Sequence, residues 1–436
     1  MARVSGCSLT EPLKEYLITR PAVTWFFLAL RNLHRNAHRS VTTIAAVALG
    51  YAAINVLAGF TTYMFASIED ADIYEEVNGH VQLWKKGARD YGGPDSGDYL
   101  ISADEFASIK TFAAEDPRIL LSAGMLEVKG SLDYEGTPGF FFGQAMVPEE
   151  KDAIFSRSTA LRSADGSTYI GKAITKETPD AIAIAAGLAE NMGLEIDSSV
   201  VLMAPSFNGQ INAIDARVLQ IVGVPTEALN KRYVFLPLAL AQKLYDTQGV
   251  SCVRFMLESE GDTDAVVASF RERFPASSWE VIPWYEFSAL YLRTKRMFDV
   301  IFGLVFVIIT TIVTMSVLNT IGMAVIERTK EIGTLRALGL KQPGVIWLFS
   351  IESALLGFIG AFSGLIITVG IALLVRAIKP TWEPPVTSRE IVWEIRLLPT
   401  YLLSTFVLLV IFTSLAAIAP ASRAAKKRIV DSLGHG

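Results

Sequence analysis

The stretch Glu327-Arg328-Thr329-Lys330-Glu331-Ile332-Gly333-Thr334-Leu335-Arg336-Ala337-Leu338-Gly339 is a charged segment held between two long apolar runs. Ile332, Leu335 and Leu338 recur at three-residue spacing, and Glu327, Arg328, Lys330 and Arg336 supply charge around them. That pattern predicts a short helix offering an apolar ridge inside a charged rim. Gly339 reads as its C-terminal stop, and Pro343 suits the opening turn of the next helix. Two readings follow: a docking element for a partner protein, or a loop whose charges only fix topology.

Working outward, apolar runs at 41–65, 298–326, 345–375 and 397–419 are each near or above the ~20 residues that cross a bilayer as a helix. The composition agrees: 51% of residues are hydrophobic, 19% are charged, and the mean hydropathy is +0.38. Between the first and second runs lie about 230 residues of ordinary soluble composition, enough for a core of their own. The expected fold is therefore an α-helical membrane protein with four transmembrane helices plus a large extracytoplasmic α+β domain inserted between the first and second. A net charge of −5 excludes the broad basic surface that a nucleic-acid partner needs, so no nucleic acid is expected.

Lys and Arg set the orientation. They crowd the flanks that are inside if both termini are cytoplasmic: Arg31, Arg35 and Arg39, then Arg328, Lys330 and Arg336, then Arg423, Lys426 and Lys427. Arg293, Lys295 and Arg296 run against this bias, and a helical stalk that lifts them clear of the bilayer accounts for them. The expected layout is an interfacial N-terminal helix at 1–40, spans at 41–66, 298–326, 343–376 and 397–420, an extracytoplasmic domain at 67–297, a short charged cytoplasmic helix at 327–342, an outer loop at 377–396 and a basic cytoplasmic tail at 421–436.

Within the domain, residues 80–84 alternate as a strand and residues 91–97 carry turn residues. Residues 181–194 read as a helix, 200–203 and 218–224 as strands, 238–245 as a helix, 252–257 as a strand, 263–274 as a helix and 279–282 as a strand. Strands alternating with helices point to an α+β or α/β domain in two lobes. From Tyr285 the pattern turns helical and runs into the second span. In the third span, Gly357, Gly360 and Gly364 suit close helix packing, against either this chain or a second copy. Glu352 is unremarkable near the membrane surface and a functional candidate if it lies deep.

Catalytic motifs are tested and set aside. Gly166-Ser167-Thr168-Tyr169-Ile170-Gly171-Lys172-Ala173 approaches a nucleotide-binding loop, but Ala173 replaces the hydroxyl that Mg²⁺ needs and no apolar strand precedes it. His34 and His38 lie four apart without a third ligand close by and read as part of a basic anchor. Cys7 follows Val4-Ser5-Gly6 without an apolar signal region before it, so no lipidation is expected. No catalytic, cofactor or metal site is expected in this chain.

The 327–339 stretch resembles the cytoplasmic coupling helix of the four-span permeases of the MacB/FtsX type, and Phe349-Ser350-Ile351-Glu352-Ser353-Ala354-Leu355-Leu356-Gly357 is similar to the start of their third span. Ala29-Leu30-Arg31-Asn32-Leu33, the 218–224 strand with Val234-Phe235-Leu236-Pro237, and Pro420-Ala421-Ser422-Arg423-Ala424-Ala425 agree with the same family. The layout, with Gly79-His80-Val81-Gln82-Leu83-Trp84 after the first span, looks closest to the LolC/LolE lipoprotein-releasing branch. The resemblance implies an inner-membrane permease subunit, non-catalytic itself, that couples ATP hydrolysis by a separate cytosolic ATP-binding-cassette (ABC) ATPase dimer, which binds ATP and Mg, to motion of its outer domain. It implies a second permease subunit, either another copy or a paralogue, and a lipid-linked or amphipathic cargo such as a lipoprotein. It implies that Glu327, Arg328, Glu331 and Arg336 make polar contacts to the ATPase while Ile332, Leu335 and Leu338 fill its groove. An FtsX-like transducer acting on an outside partner, and a receptor without an ATPase, remain as alternatives.

Overall fold

The computed structural model describes residues 29–33, 35, 37–92, 97–158, 169–224, 227–382 and 391–426. Cys7, His34, Gly166 to Thr168, the interfacial helix before residue 29 and the tail after residue 426 lie outside them. The chain divides into two units, residues 64–296 with 381–392, and residues 1–63 with 297–380 and 393–436.

The first unit is a mixed sheet with helices. Its strands are β1 (Val81–Lys85), β2 (Ile119–Tyr134), β3 (Thr137–Met146), β4 (Tyr169–Gly171), β5 (Ala181–Ala185), β6 (Ser199–Pro205), β7 (Ile211–Val222), β8 (Tyr233–Pro237), β9 (Cys252–Leu257) and β10 (Trp279–Pro283). They run in the order β10-β1-β9-β2-β3-β8-β5-β7-β4, with β6 pairing β2 and β7. The long β2 joins two halves: residues up to Met125 pair β9, and residues from Leu126 pair β3. Two crossings, β3 with β8 and β5 with β7, are parallel. Side chains alternate between two cores, with Val253 and Phe255 on one face and Cys252 and Met256 on the other.

The reading of 181–194 as one helix is corrected. Ala181–Ala185 is a strand, and only Ala186–Met192 is helical. Every residue of β5 is buried because β7 and β8 flank it and both faces are covered. A strand buried on both faces reads as an unbroken apolar run, which periodicity does not separate from a helix. The expected loop at 91–97 is corrected in part, since Ala88–Gly92 and Gly97–Tyr99 form helical turns. The helix expected from Tyr285 is interrupted at Ser288, after a single turn at Trp284–Phe287.

Among the described residues, the second unit holds parts of four helices long and apolar enough to cross a membrane. These are α1 (Ala37–Asp70), α2 (Ala289–Glu327), α4 (Gln342–Ile378) and α5 (Pro399–Ala416) continued by α6 (Ile418–Lys426). The short α3 (Thr329–Ala337) lies between α2 and α4. The three glycines of α4 face helices of this same chain. A Cβ at Gly360 would meet Val47 Cβ at 2.6 Å, and one at Gly364 would meet Ala48 O at 2.7 Å, both on α1. Gly357 lies against Thr413 of α5. The 421–426 segment is more than a basic anchor: Ala421, Ala424 and Ala425 are buried in the bundle core, while Arg423 and Lys426 are exposed on the opposite side.

Candidate functional site

The α2 helix gives way to α3 at Arg328, whose φ of −102° and ψ of 16° leave helical geometry. Nine residues later α3 closes in a Schellman turn. Leu340 N–H donates to Leu335 O at 3.0 Å, Gly339 N–H donates to Arg336 O at 3.0 Å, and Gly339 takes φ +103°. Lys341 then caps α4, with Pro343 in its first turn as the sequence predicts.

The apolar ridge expected along α3 divides. Ile332 is 4% exposed and packs with Leu33, Val325, Val345 and Phe349, so it does not face a partner. Leu335 is 40% exposed and Leu338 79%. A three-residue step turns about 300°, so Leu335 falls about 60° behind Ile332, and Leu338, just past the last residue of α3, about 120° behind it and away from the bundle core.

The charges also divide. Arg39 Nη1 meets Glu327 Oε1 at 2.7 Å, and Arg35 Nη1 meets Glu331 Oε1 at 3.0 Å. Arg35, just before α1, and Arg39, in its first turn, lie four apart, as do Glu331 and Glu327 around the α2–α3 junction, so the two pairs form a ladder. Arg328 turns inward. Its Nε donates to Glu331 Oε2 at 2.9 Å and its Nη1 to Glu352 Oε2 at 3.3 Å, and its guanidinium stands 5.7 Å from the Phe349 ring centroid. Asn32 Nδ2 approaches the same Glu352 oxygen at 3.5 Å. The Arg328 guanidinium holds the Glu331 carboxyl below the usual carboxylate range.

Arg328, 13% exposed, and Glu331, 41% exposed, are thus paired within the chain, as Glu327 is with Arg39. Glu352 faces the bundle interior, paired and 3% exposed. Sequence reasoning flags Glu352 but assigns no partner to it, and it reads Arg35 and Arg39 only as anchors. The matched four-residue spacing of two basic and two acidic residues is the available signal. The large apolar side chains left exposed by α3 and its closing turn are Leu335 and Leu338, with Trp347 also exposed at 67% in the first turns of α4.

Residues 303–429 match the family model described as FtsX-like permease C-terminal. An uncharacterized ABC transporter permease of Methanocaldococcus jannaschii is 21% identical over 381 residues, 84% of this chain and 88% of that protein. The lipoprotein-releasing system transmembrane protein LolC of Neisseria meningitidis is 26% identical over 196 residues, 42% of this chain and 46% of that one. The macrolide export ATP-binding/permease protein MacB of Chlorobium luteolum is 21% identical over 435 residues, 93% of this chain and 59% of its own length. The chain is a multi-pass membrane protein that carries an FtsX-like permease domain, and its homologues are ABC transporter permeases.

Proposed function

We propose that this chain is the permease subunit of an ABC transporter in the cytoplasmic membrane, with both termini inside and the sheet unit outside. A separate ATPase dimer, which binds ATP and Mg, docks on α3, and the sheet unit handles a lipid-linked or amphipathic cargo such as a lipoprotein. The observation that carries this reading is the split of α3. Its inner half is anchored by Ile332 and the Arg328–Glu352 pair, while Leu335 and Leu338 stand exposed beyond a closed turn. A helix fixed on one side and apolar on the other can transmit a push from a docked protein into α4 and the segment before α1, which a charged loop that only sets topology does not require. Glu327, Arg328, Glu331 and Arg336 supply the polar contacts to the ATPase in this reading.

The test is purification of the tagged chain from native membranes in mild detergent with mass spectrometry of what stays bound. An ABC ATPase is expected in the eluate of the parent chain and absent from that of Leu335→Asp. Recovery of the chain alone under crosslinking overturns the reading.

A further inference from the structure

Within the sheet unit, the end of α1 reaches β1 through a short linker, residues 76–80, and β10 leads into α2 through another, residues 284–288. The linkers lie side by side, because Val81 of β1 pairs with Pro283 of β10 and Trp284 N–H donates to His80 O at 2.9 Å. The helix ends beyond them pack on each other: Ile73 clusters with Trp284 and Tyr291, and the Phe65 and Tyr291 ring centroids stand 5.7 Å apart. Two adjacent linkers form a hinge about which this pair of helix ends can turn against the sheet.

The first linker is strained. The helix closes in a π-helical turn at Ala71–Glu75, with Glu76 N–H donating to Ala71 O at 2.9 Å. Val77 is buried and takes φ +58°, in the left-handed region where a β-branched residue is an outlier. Such a conformation persists only where neighbours enforce it. The neighbour is Arg254 of β9, whose Nη1 donates to Val77 O at 2.9 Å and to Gln144 Oε1 at 2.6 Å.

Arg254 is 4% exposed, yet among the described residues it forms no ion pair, and its Nε has no hydrogen-bond partner. A buried guanidinium ordinarily sits against a carboxylate. Two carboxyl groups face it, Glu76 and Glu127, and burial pushes both up, Glu76 to about 7. Around Glu76 are also Asp72 and Glu75, Asn78, which donates to its Oε2, and Tyr233 of β8. Glu127 is faced by Arg89 and Lys129 as well.

We propose that the 76–80 linker is a proton-controlled catch. With Glu76 protonated, Arg254 holds Val77 in its strained form. With Glu76 ionised, the guanidinium turns to that carboxylate, releases the Val77 carbonyl and lets the two helix ends turn against the sheet. A charge-assisted bond to a carboxylate is stronger than one to a neutral carbonyl, and relaxation of Val77 acts in the same direction. The catch belongs to the sheet unit alone and does not depend on an ATPase docking on α3.

The test uses the full chain in mild detergent, carrying Cys7→Ser and spin labels at Ser108→Cys and Arg293→Cys. Both positions are exposed, one on the 103–114 helix and one at the start of α2. Cys252 is buried, and burial pushes its thiol up to about 12, so it stays unlabelled. Pulsed electron paramagnetic resonance is expected to give one label separation at about pH 5.5 and a second, displaced one at about pH 8.5, on either side of the Glu76 titration. Glu76→Gln is expected to keep the first separation at both, and Arg254→Met to show the displaced one at both. Should Arg254→Met fail to fold, Val77→Gly takes its place: glycine holds the left-handed φ without strain, and the conversion is expected to move to higher pH. A parent chain with the same separation at both pH values overturns the inference, as does a pH-dependent displacement that survives in Glu76→Gln.

Discussion

Arg328 and Glu352 meet at 3.3 Å, with side chains 13% and 4% exposed, and so join the start of α3 to the buried side of α4. Removing one member of a buried pair leaves the other charge without compensation, at a cost of about 3–5 kcal/mol. Glu352→Ala is expected to lower the thermal unfolding midpoint of the purified chain in detergent, and Arg328→Met with Glu352→Leu together to recover most of the loss. A single variant as stable as the parent chain would show that the pair contributes little. The outer pairs behave otherwise. Arg35 with Glu331 and Arg39 with Glu327 are exposed, and each contributes about 0–1 kcal/mol, less at high salt.

The two apolar classes of α3 separate by substitution. Ile332→Ala removes a buried side chain and is expected to cost about 2–5 kcal/mol, read as a lower unfolding midpoint. Leu335→Asp, on an exposed side chain, is expected to change stability by no more than about 0.5 kcal/mol while abolishing ATPase co-purification. If Leu335→Asp instead unfolds the chain, the exposed face of α3 is a structural surface and its docking role fails.

Much of this architecture was legible because the spans are long and their punctuation is local. Gly339 and Pro343 marked the end of α3 and the start of α4 by backbone chemistry alone, and the structure places both in those roles. What escaped depended on partners distant in sequence. The Ala-Ile-Ala-Ile-Ala run of β5 alternates, yet its flanking strands bury both faces, and the alanines invited a helix. The β2–β3 hairpin was missed although Glu135 and Gly136, both at positive φ, form its two-residue turn between Tyr134 and Thr137. At the site, the charges of α3 were legible as types and not as pairs, because Arg35, Arg39 and Glu352 reach them from other helices.

The glycines of α4 give a packing test. A side chain at Gly360 would overlap Val47, so Gly360→Leu is expected to destabilise by at least about 1–3 kcal/mol through overpacking of α1 on α4. Gly370 lies on the same helix, where an added Cβ would meet nothing within 4 Å, and Gly370→Ala is expected to be neutral or slightly stabilising. Equal midpoints for the two variants would contradict the α1–α4 contact.

The sheet unit carries two groups, the part-buried Glu76 and the buried His80, whose titrations are shifted in opposite senses. Burial, reinforced by Asp72, pushes the Glu76 carboxyl up to about 7 from 4.5, while Asn78 Nδ2 donates to its Oε2 at 3.2 Å. The folded chain thus holds a proton that the unfolded chain releases, so this contribution is complete below pH 4.5 and is lost as pH rises through 7. Burial lowers the His80 imidazole to about 4 from 6.5, with its Nδ1 accepting from Leu257 N–H at 3.2 Å. Its contribution is complete above pH 6.5 and is lost as pH falls through 4. Glu76→Gln keeps the side-chain shape and removes the first dependence. It is expected to stabilise the chain at pH 8 by on the order of 3 kcal/mol and to have little effect below pH 4.5. Unfolding followed by the fluorescence of buried Trp84, whose indole N–H donates to Gln82 Oε1 at 2.9 Å, reads this directly. A parent and a variant that track each other from pH 4.5 to 8 would mean that Glu76 stays ionised in the folded chain, solvated in place of being held among Asp72, Asn78 and Arg254.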